Sequence, residues 1–163
     1  MSLSADDRLA IHELVALHGH LMDDGAFDRL SELFTDDFAY DVTAYGFGVL
    51  RGYAAFAEAA RTLGDGNPLG HHVTNVVVSE DADGTVRVRS KGLGVPVDGP
   101  VGTVVYEDVV RRVETQPPAG TAGAQRPATG WRISYRRVVP RRRPLHPEGR
   151  SQHPEERGQH PEG

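Results

Sequence analysis

The hydrophobic pattern of this chain changes period once along its length, from about 3.6 residues to two, and that change restricts the fold to helices first and a sheet after. Ser4 with Asp7 three residues on makes a capping-box start, and Ile11, Leu14, Val15, His18 and Met22 then fall on one stripe, with Leu17 and Leu21 beside it. This predicts an amphipathic helix ending near Gly25. Phe27, Leu30, Leu33 and Phe34 predict a short second helix, broken at Thr35-Asp36-Asp37, and Phe38, Tyr40 and Val42 then alternate as a strand. The stretch 46–52 reads as loop or hairpin, and Phe56, Ala60 and Leu63 stand at helical spacing within an alanine-rich third segment.

Beyond residues 64–70 the β-branched content rises. Runs over 71–80, 85–95 and 103–114 are separated by the turn signals Asp83-Gly84 and Asp98-Gly99, so they read as antiparallel neighbours. Residues 116–130 hold three Pro and three Gly and predict a long hairpin loop before a last strand over 131–139. Helices followed by a meander give an α+β layout, a curved sheet with one face closed by helices and a pocket between them.

At 163 residues the chain has the length of one domain, expected over residues 1–140. The remainder, 141–163, repeats His146-Pro147-Glu148, His153-Pro154-Glu155 and His160-Pro161-Glu162 with Leu145 its only large apolar side chain after Pro144, and it reads as a disordered appendage unable to pack a core. The absence of cysteine excludes a disulfide scaffold, a thiolate zinc site and a cysteine nucleophile. A net charge of −5 argues against a dedicated nucleic-acid binder, and Arg136, Arg137, Arg141, Arg142 and Arg143, with no aromatics between them, read as a solvated strand end. No apolar run approaches the ~20 residues of a membrane span. Residues 1–7 carry neither a basic nor an apolar export signal, so a cytoplasmic location is expected.

Four places carry candidate chemistry. His18 interrupts an aliphatic helix face, where a buried ring needs a partner, and it reads equally as a core histidine. Asp23, at the helix end, lies about 100° from Met22 and off the apolar stripe, as expected for a solvated terminus. His71 and His72 open a strand, and alternation sends their rings to opposite faces, His71 with Val73, Asn75 and Val77, His72 with Thr74, Val76 and Val78. Which face is inside stays open. Tyr106 and Asp108 are two apart and point the same way, and Asp108 in a strand asks for an explanation. No phosphate-binding loop, His-Glu-x-x-His or nucleophile elbow is present.

Taken in order, the blocks "ADDRLAIHELVALHGHLMDDGAFDRLSELFTDDFAYDV", "RGYAAFAEAA", "GHHVTNVVV", "GTVVYEDVVRRVE" and "GWRISYRRV" resemble the SnoaL-like family of small polyketide cyclases and dehydratases over residues 5–139. The resemblance implies the cone-shaped fold of nuclear transport factor 2. It matches Asp23 to a helix-end aspartate that serves scytalone dehydratase-like members as an acid/base partner, and His71 to the histidine opening the long strand. Tyr106 and Asp108 match a recurrent Tyr-x-Asp. His18 and Met22 stand where relatives often carry tyrosines, which departs from a phenol-dependent mechanism.

The implied site makes Asp23 and His71 the catalytic pair, with His18, Met22, Tyr40, Phe56, Asn75, Tyr106 and Asp108 around the substrate, and neither metal nor cofactor. The implied activity is a cyclisation or dehydration of a small apolar hydroxy-carbonyl compound. A non-catalytic ligand-binding or assembly domain of the same fold is the second reading. Pairing of the open sheet face, of mixed valine and threonine character, implies a homodimer.

Overall fold

The computed structural model describes residues 3–114 and 130–140. Helix α1 (Ala5–Asp23) starts where the capping box predicts: the Asp7 N–H donates to Ser4 Oγ at 3.0 Å and the Ser4 N–H to Asp7 Oδ2 at 3.2 Å. Asp7 also ties the helix to the sheet. It accepts the Trp131 indole N–H at 3.1 Å and pairs with Arg112. Ser4 and then Trp131, by donating to it, hold its carboxyl below the usual carboxylate range.

The second element differs from expectation. Residues Phe27–Glu32 form only a 3-10 helix, and strand β1 (Phe34–Asp41) begins four residues early, so the triplet read as a helix break lies inside a strand. A short apolar run fits either state, and here neighbours decide. Phe34 pairs with Ile133, the Thr35 hydroxyl donates to Asp37 Oδ1 at 2.7 Å, Arg111 pairs with Asp37, and a register shift between Phe34 and Ala39 absorbs the irregularity. The stretch read as loop or hairpin is a hairpin, with β2 (Val49–Arg51) antiparallel to β1. It leads into α2 (Tyr53–Leu63).

Strands β3 (Gly70–Glu80), β4 (Val86–Val95), β5 (Gly102–Arg112) and β6 (Trp131–Pro140) follow as an antiparallel meander. The sheet order is β2-β1-β6-β5-β4-β3, with β1 parallel to β6, which makes it a mixed sheet. The hairpin loop expected before β6, except Gly130, and the whole of 141–163 lie outside the described residues.

Helix α1 crosses β3 and α2 covers β1, so one face of the sheet is closed by helices. Between the layers Ile11, Leu14, Val15, Phe34, Phe38, Phe56, Val86, Val88, Val110 and Ile133 form one buried cluster, each side chain contributing roughly 1.5–3 kcal/mol by leaving water. Phe34 stacks on Phe38 with centroids 3.8 Å apart, and Phe56 meets Phe34 edge-on at 5.3 Å. The opposite face is less valine- and threonine-like than expected: Val77, Val105 and Val109 share it with Arg87, Arg89, Lys91 and Arg137.

Candidate active site

Strand β3 decides which histidine points inward. Its first residues place the His71 side chain under α1 at 14% exposure, while His72 is exposed. The helix can lie this close because residue 19 is glycine: a Cβ there would collide with the His71 carbonyl oxygen. The strict alternation expected further along β3 fails. Asn75 adopts a left-handed backbone, φ 53°, at a register shift between Thr74 and Val77, so Val73 before it and Val76 and Val78 after it all pack on the core. Val77 is 63% exposed and Asn75 faces out, so Asn75 is not part of the inner site that the resemblance implied.

Asp23 does reach the site, although helical periodicity leaves it off the stripe. Its two carboxylate oxygens each accept the His71 backbone N–H at 3.0 Å, and Oδ1 lies 2.7 Å from His71 Nδ1. The last turn of α1 therefore clamps the first turn of backbone in β3. An ionised carboxylate only accepts, so in the neutral ring Nδ1 carries the proton and Nε2 is left as a base. The His71 ring meets His18 edge-on, centroids 5.7 Å apart, and His18 meets Tyr106 in the same way at 5.7 Å.

His18 is 2% exposed. Burial, followed by the charges of Arg136 and His71, drives its pKa well below the ordinary imidazole range, so the ring is neutral. Beyond it lies the largest departure from the sequence reading. Arg136, expected on a solvated strand end, is fully buried: its Nε and Nη2 each donate to Asp108 at 2.8 Å, and its guanidinium lies 4.3 Å from the centre of the Tyr106 ring. Asp108, the strand aspartate without an explanation, finds it in this pair. Burial opposes the charge on Arg136, but the attraction and hydrogen bonds of Asp108 outweigh it and raise its pKa.

Tyr106 is buried over Gly92, where a Cβ would strike its ring, and burial raises its phenol pKa. Tyr40, half-buried beside Phe56 at 4.7 Å between centroids, has its phenol raised by burial and then by Tyr106, with Arg136 opposing. Phe56 and Met22 belong to the apolar wall.

The structure thus brings Asp23, His71, His18, Tyr106, Asp108 and Tyr40 together on the inner face and adds two residues that sequence reasoning missed, Arg136 and Ser90. Both are in phase with buried valines of their own strands. Ser90 continues the alternation of Val86 and Val88, and Arg136 that of Val138. Among the described residues no group of three or more His, Cys, Asp or Glu is arranged to hold a metal ion. No described helix is long and apolar enough to cross a membrane.

The sequence profile of the SnoaL-like domain matches residues 4–137. The chain belongs to the SnoaL-like family. No curated protein sequence matches it. Solved structures do, and they carry the cystatin-like fold typical of nuclear transport factor 2-like proteins. One such protein from Novosphingobium aromaticivorans is 30% identical over 81% of this chain and 80% of its own, with a TM-score of 0.58. A second from that organism, provisionally named an aromatic ring hydroxylase, is 25% identical over 90% of this chain and 94% of its own, with a TM-score of 0.63. A third, provisionally named a scytalone dehydratase, is 21% identical over 90% and 95%, TM-score 0.59, a likeness of fold. As a SnoaL-like protein the chain sets His18, Ser90 and Arg136 on the inner face of the family's fold.

Proposed function

We propose that this SnoaL-like chain is a cofactor-free acid/base enzyme, a dehydratase or cyclase acting on a small, largely apolar hydroxy-carbonyl compound. The observation that carries the reading is the Asp23–His71 contact at 2.7 Å, reinforced by the His71 backbone N–H on the same carboxylate. A carboxylate held on Nδ1 orients the ring, fixes the tautomer whose Nε2 lone pair is free, and stabilises the imidazolium that forms when Nε2 takes a proton.

The chemistry then needs only one proton relay. His71 Nε2 removes a proton from the carbon next to the carbonyl, and the C–H electron pair becomes a C=C bond as the carbonyl π pair moves to oxygen. In a dehydration the enolate re-forms the carbonyl, its electrons expel the β-oxygen, and the imidazolium returns its proton so that water leaves. In a cyclisation the same enolate carbon attacks a second carbonyl, and the proton goes to the new alkoxide. The apolar wall of Phe38, Phe56 and Met22 suits a substrate with little charge.

The test uses a panel of β-hydroxy ketones, with enone formation followed by absorbance. His71→Ala and Asp23→Asn should each reduce turnover about 10²- to 10⁴-fold. The double variant should be little worse than either single one, because groups acting as a unit are strongly non-additive. Full activity in both single variants removes the pair from the mechanism. Ligand binding without turnover on any member of the panel replaces the enzyme by a binding domain.

A further inference from the structure

Buried polar side-chain atoms almost always find a partner, because leaving one unpaired costs about 1–3 kcal/mol. Among the described residues three do not: His18 Nδ1, Ser90 Oγ and Arg136 Nη1. All three residues surround one side chain. Ser90 is the cross-strand neighbour of Tyr106, the Arg136 guanidinium lies on the Tyr106 ring, and His18 meets that ring edge-on. They are also among the most buried polar residues of the chain, at 2%, 1% and 0% exposure. The catalytic pair of the previous subsection uses none of them.

We propose that these groups form an oxygen-recognition site, the floor site, on the inner face of the sheet around Tyr106, where Arg136 Nη1 and Ser90 Oγ donate to the carbonyl oxygen of the substrate and His18 Nδ1 receives a neighbouring hydroxyl. This rests on the acid/base reading and deepens it. The Arg136 fork is already spent on Asp108 through Nε and Nη2, so the pair is close to neutral as a whole and offers the N–H bonds of the unpartnered Nη1. Such a site accepts a neutral ketone or phenol. Its contribution grows as proton removal by His71 moves negative charge onto the bound oxygen, which is the behaviour of a preorganised donor that favours the enolate over the ketone. Neutral His18 can accept from a hydroxyl without adding a second positive charge. The substrate class that follows is an uncharged hydroxy-ketone or phenolic compound, with the carboxylic acids disfavoured by the carboxylates of Asp23 and Asp108.

The experiment uses 4-nitrophenol, whose ionisation is visible by absorbance and which mimics an enolate once deprotonated. Bound to the intact chain it should ionise at a lower pH than in water, because the floor donors favour the phenolate. Ser90→Ala should weaken phenolate binding about tenfold, as expected for losing one hydrogen bond to a charged oxygen. It should leave the melting temperature of the empty protein unchanged or raise it, since the hydroxyl has no protein partner to lose. A structural hydroxyl would do the reverse.

His71→Ala separates the two readings: it lowers turnover about 10²- to 10⁴-fold but leaves the ionisation shift of the probe if the floor site is real. A shift lost in His71→Ala and kept in Ser90→Ala means that the phenolate sits on the imidazolium, which overturns the floor site and leaves the acid/base reading intact. The floor site is equally overturned if 4-nitrophenol shows no shift in the intact chain, or if Ser90→Ala lowers the melting temperature by several degrees.

Discussion

Near the Trp131 end of β6 the inner face of the sheet carries Val86, Val110 and Ile133 against Phe34 and α1, and every one of these atoms has an apolar neighbour. Farther along the same three strands it carries Ser90, Tyr106, Asp108 and Arg136, where Ser90 Oγ and Arg136 Nη1, with Nδ1 of His18 from α1, are buried without a partner. The inward side chains are buried at both ends. What differs is that the first end is satisfied by the protein alone, while the second is satisfied only in its Asp108–Arg136 fork. Unpaired buried atoms lower stability, so a chain that keeps them has them for something other than folding. On the reading proposed above, the first end holds the fold and the second serves the substrate.

The largest effect should come from cutting the buried ion pair of the polar end, Arg136–Asp108. Arg136→Met leaves the Asp108 carboxylate buried and alone, which costs about 3–5 kcal/mol. Adding Asp108→Leu to that variant should recover most of the loss, because a packed apolar pair of similar volume replaces a buried ion pair with little change. Urea melts of the three proteins check this. A single variant within 1 kcal/mol of the parent would mean that the pair behaves as if exposed, and the division between the two ends would fail.

Ile133→Ala probes the other end. It should cost about 2–5 kcal/mol through lost transfer energy and the cavity left behind. Turnover per folded molecule, measured well below the melting transition, should stay at the parental level, since Ile133 touches none of the polar cluster. Loss of activity without loss of stability would show that the ends are coupled.

The two ends were not equally legible in the sequence. Turns and strands follow from local chemistry, so the meander of β3 to β6 and the start of α1 at Ser4 could be read directly. The apolar end follows from periodicity as well. The polar end depends on register and on close approach, which a single chain does not display. Asp108 stood out as unsuited to a strand, but its partner is 28 residues away and is fixed only by the pairing Asp108↔Arg136 between β5 and β6. A run of arginines suggests solvent, and averaging over the run hid the member that alternates with Val138. Asp23 was found by resemblance and not by periodicity, because its role comes from where the helix ends relative to β3. Asn75 departs for the opposite reason: alternation does not carry across the irregularity between Thr74 and Val77. Its left-handed backbone inverts the faces of the strand, and asparagine, which tolerates that conformation better than most residues, was the available hint.

The smallest effect concerns pH and tests whether His18 belongs with the polar end by its protonation as well as by its position. In the folded chain burial keeps the ring neutral, whereas in the unfolded chain it titrates near the ordinary value of 6.5. Its folded pKa therefore lies below its unfolded one. As pH falls through the unfolded value, the unfolded state takes up a proton that the folded state refuses, and stability drops. Above that value both states are neutral and the contribution is flat. The slope cannot exceed one proton, about 1.4 kcal/mol per pH unit. His18→Phe removes the titrating group while preserving an aromatic ring on the stripe, so its stability should decline less steeply between neutral pH and pH 5 than that of the parent, and the two curves should run parallel above about pH 7.5. Urea melts across that range make the measurement. If the acid limb keeps its full slope in His18→Phe, the proton uptake belongs elsewhere, and His18 is already protonated or solvated in the folded chain. The polar end would then hold a charge on His18 that its neighbour Arg136 makes costly to keep.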